Sequence, residues 1–148
     1  MVDISTEILI NKPLRQVSAY ASDPDKAPEW YENIKSAELK TPRPLRTGSE
    51  IAFVAQFLGK ELLYNYKIYE MSEHRLVMKT AQGPFPMETS YEWEQINDRC
   101  TRMKLRNRGK PSGFFSKYFT PILEIMMRKA NQKDLIKLKW ILEHTAIL

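Results

Sequence analysis

Tyrosine, threonine and methionine side chains recur at every second position of several segments in the middle of this sequence. Successive side chains of a strand face opposite sides, so if Lys67, Lys79 and Glu92 point to water, the residues beside them face inward. The inward set is then Ile51, Phe53, Ala55 and Phe57, followed by Leu62, Tyr64, Tyr66 and Ile68, then Leu76, Met78 and Thr80, then Met87, Thr89, Tyr91 and Trp93, and finally Thr101, Met103, Leu105 and Asn107.

This inward set carries more polar groups than an ordinary core requires. A core built for packing alone favours Leu, Ile and Val, and a buried hydroxyl or amide without a partner costs roughly 1–3 kcal/mol. The polar groups therefore either bond one another or line a cavity that holds water or a ligand. The number of these polar groups favours the cavity, and so do the adaptable methionine side chains in the inward set.

Residues suited to acid–base or metal chemistry are scarce. Of the two histidines, His74 lies in a predicted turn and His144 near the end of the last helix, so neither is expected to act as a base. The single cysteine, Cys100, has no companion for a disulfide or a metal site. We predict no catalytic residue, no metal site and no cofactor. The strand registers place no Asp, Glu or Lys deep inside, and a buried carboxylate or histidine would favour an enzyme.

The elements that position these residues follow from the change in hydrophobic period. An alternating strand, "VDISTEILI", precedes a helix that begins near Pro13 and a second short helix that buries Trp30. Strands are predicted at Ser36 to Lys40, Glu50 to Phe57, Glu61 to Met71, Arg75 to Gln82, Pro86 to Gln95 and Cys100 to Arg108. A long helix follows Pro121. This order predicts an α+β fold in which a seven-stranded antiparallel sheet is covered by the C-terminal helix.

The net charge of +5 raises the question of a nucleic-acid partner. The densest basic run, Arg102, Lys104, Arg106 and Arg108, is expected on the outer face opposite Glu88, Glu92 and Glu94 of the neighbouring strand. Such cross-strand pairs stabilise by roughly 0.2–1 kcal/mol each, and the outer face lacks the aromatic rings that stack on bases. We therefore expect a solvated ladder of ion pairs and no binding to DNA.

The last helix carries an apolar stripe, which we expect to face the sheet because its members recur at steps of three and four residues. Phe114, Phe115 and Tyr118 precede the main run and are placed at the rim of the interior. The stripe consists of Phe119, Ile122, Leu123, Met126, Ala130, Leu135, Leu138 and Leu142.

Four segments resemble the START-like (Bet v 1-like, SRPBCC) superfamily, in its polyketide cyclase/dehydrase and lipid transport branch. They are "ILINKPLRQVSAYASDPDKAPEW", "RTGSEI", "KIYEMSEHRLVMKT" and "LIKLKWILE". The resemblance covers residues 1–148 as one ligand-binding domain. It implies a helix-grip fold, with the sheet wrapped around the long helix, and a deep apolar cavity. It also implies the binding of lipids, sterols, polyketides or similar molecules, and in some members cyclisation or dehydration.

The resulting hypothesis is binding or transport of a hydrophobic small molecule between the sheet and the C-terminal helix. One alternative is a cyclase or dehydratase, and a second is a module that contacts RNA, the ribosome or a membrane surface. A polar end of the ligand is expected to meet Tyr64, Tyr66 or Tyr91. The predicted ligand-binding residues are Trp30, Phe53, Phe57, Tyr64, Tyr66, Met78, Thr80, Thr89, Tyr91, Trp93, Met103, Phe115, Phe119, Leu123 and Met126.

Two expectations concern the cavity mouth and the location of the protein. Residues 110–120, with the turn from Leu58 to Lys60, are predicted to form a mobile mouth that could contact a membrane. The first residues include Asp3 and Glu7 where a secretory signal would be basic and then apolar, so we expect a cytoplasmic protein.

Overall fold

The computed structural model describes residues 1–82, 86–111 and 118–145. Seven strands and three α-helices lie in these ranges, with a short 3-10 turn at Pro24–Lys26. The strands are β1 (Val2–Ile10), β2 (Ile34–Leu39), β3 (Glu50–Phe57), β4 (Lys60–Met71), β5 (Arg75–Gln82), β6 (Met87–Asn97) and β7 (Cys100–Gly109). The helices are α1 (Leu14–Ser22), α2 (Ala27–Trp30) and α3 (Thr120–His144).

The strands form one antiparallel sheet in the order β1-β7-β6-β5-β4-β3-β2. This confirms the predicted α+β fold with a long C-terminal helix, the helix-grip arrangement. In the tight turn between β3 and β4, Leu58 has φ 55° and Gly59 has φ 75°. Two-residue turns with positive φ at both positions match the twist of an antiparallel hairpin. The strand bounds differ from the predicted ones by at most two residues.

The predicted inner face is confirmed on β6 and β7. Thr89, Tyr91 and Trp93 are buried on β6, and Thr101, Met103, Leu105 and Asn107 are buried on β7. On β4, the first and last residues of the inward-facing set, Leu62 and Ile68, are buried. Tyr64 and Tyr66, which lie between them, are only half-buried. The middle of β4 therefore faces a space that the core does not fill.

The outer face of β6 and β7 carries the predicted ladder. Glu88, Glu92 and Glu94 lie opposite Arg108, Lys104 and Arg102, and Arg102 lies 3.3 Å from Glu94. The ladder also reaches β1, where the Arg106 guanidinium donates two hydrogen bonds to the Asp3 carboxylate at 2.9 and 2.8 Å. That bidentate contact lowers the pKa of Asp3. Much of this basic run therefore has acidic neighbours within the sheet.

The free edge of β1 is covered by side chains of α3. Backbone N–H groups of Asp3 and Asn11 donate to Glu124 and Glu143, at 3.1 and 2.7 Å. Backbone carbonyls of the same strand accept from Arg128 and Lys139, at Ser5 (3.2 Å) and Leu9 (2.8 Å). An uncovered edge would invite pairing with another chain, so these contacts protect the edge and align the helix with the strand.

The lengths of the two elements match along this edge. From Glu124 to Glu143 the helix advances about 28 Å, at about 1.5 Å per residue. From Asp3 to Asn11, the residue after β1, the chain advances about 27 Å, at about 3.4 Å per residue. Contacts at both ends are therefore possible without bending the helix, and they set its rotation about its own axis.

The rotation of α3 corrects the predicted stripe at its N-terminal end. Phe119, the residue before the helix, is 69% exposed and Ile122 is 51% exposed. The buried face instead consists of Leu123, Met127, Asn131, Asp134, Leu135, Leu138 and Leu142. The prediction was wrong here because it followed apolar residues only, whereas steps of four from Leu123 pass through Met127 to the polar Asn131.

The buried apolar residues form two separate clusters. The larger contains Trp30, Phe53, Tyr91, Met103 and Leu138, among others. The smaller consists of Val2, Ile4, Leu62, Leu123 and Met127, near the N-terminal end of α3. Tyr64 packs against both clusters. A single domain of this size usually has one contiguous core, so the division indicates an unfilled space between the clusters.

Candidate ligand-binding site

A cavity of about 160 Å³ lies between the inner face of the sheet and α3. Its walls include members of both apolar clusters, so it occupies the space that divides the core. Seven residues that the sequence analysis named as ligand-binding line it: Phe53, Phe57, Tyr64, Tyr66, Met78, Thr89 and Tyr91. Their contact with a ligand stays a prediction.

Several other named residues lie elsewhere. Trp30, Trp93, Met103 and Leu123 are buried among neighbouring side chains and are not part of the cavity wall. They were included because alternation and helical spacing identify the inner face, but not which part of that face is left uncovered.

Three more of the named residues differ from the prediction in other ways. Thr80 accepts a hydrogen bond from the backbone N–H of Met87 at 3.0 Å and is absent from the wall. Phe119 is exposed, and Met126 is displaced from the wall by its neighbour Met127, because α3 is rotated relative to the predicted stripe. Phe115 and most of the predicted mouth, residues 112–117, lie outside the described residues.

On the sheet wall, one polar side chain from each of β4, β6 and β7 joins a chain of hydrogen bonds. The Thr89 hydroxyl donates to Oδ1 of Asn107 at 2.7 Å. A hydroxyl has one proton, so in the 3.2 Å contact between Tyr66 and Thr89 the Tyr66 hydroxyl must be the donor. The chain Tyr66–Thr89–Asn107 thus uses the protons of both hydroxyls within the wall.

A second hydroxyl pair joins the segment after α2 to β6. The hydroxyls of Tyr31 and Tyr91 form a short hydrogen bond, and Trp30 holds the Tyr31 ring in a stack with centroids 3.9 Å apart. Burial raises the pKa of both tyrosines, with the neighbouring hydroxyl and Asp134 raising that of Tyr31 further. Both side chains therefore remain neutral phenols and can offer hydrogen bonds but no negative charge.

The helix wall contains a buried carboxyl group, Asp134, which is 3% exposed. Burial raises its pKa to about 7, and the charge of Glu32 adds to this. The backbone N–H of Glu32, which donates to Oδ1 at 3.0 Å, opposes the shift, as do Lys137 and Lys133. Asp134 can therefore gain or lose a proton near neutral pH.

One turn earlier on α3, Asn131 is 7% exposed and also lines the cavity. Its side-chain Nδ2 is buried and has no hydrogen-bond partner in the part of the chain that the structure describes. Sequence reasoning missed both Asn131 and Asp134. The available signal was their position: both fall on the line from Leu123 through Met127 to Leu138, where polar residues interrupt an otherwise apolar face.

The remaining candidates for chemistry lie away from the cavity. His74 and His144 are exposed. Among the residues described, no group of three or more His, Cys, Asp or Glu side chains could hold a metal ion. Within those same ranges, no helix is both long enough and apolar enough to cross a membrane.

Solved structures share this arrangement of sheet and helix. A START superfamily protein from Mycobacterium smegmatis has a TM-score of 0.84 at 13% identity, over 95% of this chain and 97% of that one. A protein from Thermus thermophilus has a TM-score of 0.82 at 17% identity, over 95% and 97%. The Zhui aromatase/cyclase from a Streptomyces species has a TM-score of 0.77 at 11% identity, over 95% and 93%. At these identities the likeness defines the class of fold, START-like.

The family follows from the sequence itself. Residues 1–143 match the model of the family described as polyketide cyclase / dehydrase and lipid transport. The chain belongs to this family, which confirms the resemblance noted in the sequence. No curated protein matches the chain in sequence.

Proposed function

We propose that this protein binds a hydrophobic small molecule in the cavity between the sheet and α3. The observation that carries the proposal is the divided core: two packed clusters are separated by a space walled mainly by Phe, Tyr, Met and Leu side chains. Small-molecule sites are typically concave and mostly apolar, with a few polar groups that set orientation.

The aromatic walls favour a ligand with flat apolar surface. Phe53 and Tyr66 meet edge to face with ring centroids 5.4 Å apart, and Tyr91 presents a further ring. Edge-to-face and offset stacking against such rings stabilises a bound aromatic ligand by more than the burial of its apolar area alone. The family description, with both polyketide cyclases and lipid transport, is consistent with guests of this kind.

The test compares a variant with a filled cavity and a matched control. Ala130 of α3 lines the cavity and Ala19 of α1 is exposed, so Ala130→Phe should fill the site while Ala19→Phe should not. Native mass spectrometry of freshly purified protein should show a retained small molecule in the wild type and in Ala19→Phe, and a loss in Ala130→Phe. Equal retention by both variants would show that the molecule lies elsewhere and would contradict the proposal.

A second candidate function, acid–base catalysis, is favoured by Asp134. A carboxyl group with a pKa of about 7 in the cavity wall could remove a proton next to a carbonyl and return one to a leaving hydroxyl. The test is the dehydration of the β-hydroxy ketone precursor of benzalacetone, followed by the absorbance of the product. Asp134→Asn should abolish catalysed release of water, while binding of the ketone persists. If the wild type does not accelerate the dehydration over the rate in buffer, the catalytic function is contradicted and only the binding function remains.

A further inference from the structure

The polar groups on the two walls of the cavity differ in what they can offer a ligand. On the sheet wall, the protons of Tyr66 and Thr89 are used within the wall. On the helix wall, Nδ2 of Asn131 is a buried donor without a partner among the described residues, and Asp134 lines the same wall. A buried donor left unpaired costs free energy, which a ligand atom in the cavity would recover.

The spacing of Asn131 and Asp134 lets them act on one ligand atom. Residues three apart on a helix are neighbours, with Cβ atoms about 5–6 Å apart, and both side chains are buried on the same face. Oδ1 of Asp134 already accepts from Glu32, so Oδ2 is the atom available to the ligand. When Asp134 is protonated, the pair presents two donors, N–H and O–H.

We propose that Asn131 and Asp134 form the polar end of the ligand site and bind an uncharged carbonyl oxygen, such as that of an aromatic ketone or aldehyde. The proposal rests on the proposed function. A carbonyl oxygen has two lone pairs and no proton, so it can accept from both residues at once. The rest of the ligand then lies against Tyr66, Phe53 and Tyr91.

Two other ligand classes fit this end of the cavity less well. A carboxylate would have to be desolvated, and above about pH 7 it would also bring a second negative charge next to the ionised Asp134 at low dielectric. A protonated amine could pair with Asp134, but it carries only donors and would leave Nδ2 of Asn131 unpaired. The site therefore discriminates against free fatty acids as well as amines.

The experiment uses three probes of nearly equal shape: methyl naphthyl ketone, the alkene in which CH2 replaces the ketone oxygen, and naphthoate. Equilibrium dialysis at pH 6 should give about tenfold tighter binding of the ketone than of the alkene, as expected for a neutral hydrogen-bonded group. Naphthoate should bind more weakly than both. The Asn131 side-chain amide signals in a nitrogen-15 NMR spectrum should shift with the ketone and not with the alkene.

Asn131→Leu should reduce the ratio of ketone to alkene affinity at pH 6, and should bring it to near one at pH 8, where Asp134 no longer donates, while the alkene still binds. The matched control is Gln132→Leu, an exposed neighbour on the same helix, which should keep the wild-type ratio. Asp134→Asn keeps a donor at this position and should preserve the preference for the ketone at pH 8. In the wild type the preference for the ketone should fall from pH 6 to pH 8, because Asp134 loses its proton over this range. The titratable and charged groups around Asp134 are Glu32, Tyr31, Tyr91, Lys133 and Lys137.

The outcomes separate this inference from the proposed function. Equal affinities for ketone and alkene in the wild type at pH 6, or a ketone preference at pH 8 that survives Asn131→Leu, would overturn the inference and leave the hydrophobic site in place. If no probe binds the wild type, or if Ala130→Phe leaves probe binding unchanged, the proposed site itself is wrong.

Discussion

The two walls of the cavity treat their polar side chains in opposite ways. On the sheet wall, Tyr66, Thr89 and Asn107 form a continuous chain of hydrogen bonds. On the helix wall, Asn131 has an unpaired donor among the described residues and Asp134 has a pKa raised to about 7 by burial. The chain of hydrogen bonds on the first wall is complete without a ligand, whereas the second wall keeps an unpaired donor among the described residues.

This difference separates residues that maintain the cavity from residues that recognise its contents. A polar network in which every donor has a partner makes its wall rigid and keeps rings such as that of Tyr66 in place. A wall with an unpaired donor lowers the stability of the empty protein, as binding sites commonly do. Substitutions on the sheet wall should therefore destabilise the fold, whereas removal of polar groups from the helix wall should stabilise it.

The largest effect is expected from Asp134 and depends on pH. Its pKa is about 7 in the folded protein, against an ordinary value of 3.8, so the folded state holds the proton more tightly. The associated stability is fully present below about pH 4 and is lost as pH rises towards 7, by at most about 4 kcal/mol. Asn keeps an acceptor for Glu32 and does not ionise.

Asp134→Asn should therefore be more stable than the wild type at pH 8, and the advantage should shrink at pH 4. Urea denaturation at the two pH values measures it. A difference between variant and wild type that is the same at both would show that the carboxyl group is not buried as described.

Next in size is Thr89→Val on the sheet wall. It leaves Oδ1 of Asn107 and the hydroxyl of Tyr66 without their partner, so the free energy of unfolding should fall by about 3 kcal/mol. Thr47→Val, at an exposed position between β2 and β3, is the matched control and should change it little. A loss no larger than that of the control would mean that the network adds nothing.

A smaller effect of opposite sign is expected for Asn131→Leu, which removes the unpaired donor and adds apolar surface. The free energy of unfolding in the absence of ligand should rise by about 2 kcal/mol. The same denaturation experiment measures it, with Gln132→Leu as the reference. Destabilisation relative to Gln132→Leu would show that Asn131 is satisfied in the empty protein, and the contrast between the walls would disappear.

The smallest effect is expected for Tyr66→Phe, which removes one donor from the sheet wall. Thr89 keeps its bond to Asn107, so the loss should be about 1 kcal/mol, the ordinary contribution of a neutral hydrogen bond. Thermal unfolding followed by circular dichroism would detect it. A loss as large as that of Thr89→Val would show that the three side chains act as one cooperative unit.

The seven strands, their order along the chain and the family could all be predicted from the sequence. Strand side chains alternate strictly, so the positions of Lys67, Lys79 and Glu92 were enough to place Tyr66, Thr89 and Tyr91 on the inner face. That information is local, and the structure confirms it. Which inner residues meet the cavity is not local: Trp93 and Met103 alternate correctly and are nevertheless covered by their neighbours.

The helix wall was decided only by tertiary structure. The rotation of α3 depends on contacts between residues more than 100 positions apart in the chain, from Glu124, Arg128, Lys139 and Glu143 to the edge of β1. Helical periodicity alone allowed a stripe through Met126 and Ala130, which left Asn131 and Asp134 at its border. Once the helix is held along β1, both polar side chains turn into the cavity, because a helix presents one face to the sheet and the strand edge determines which face that is.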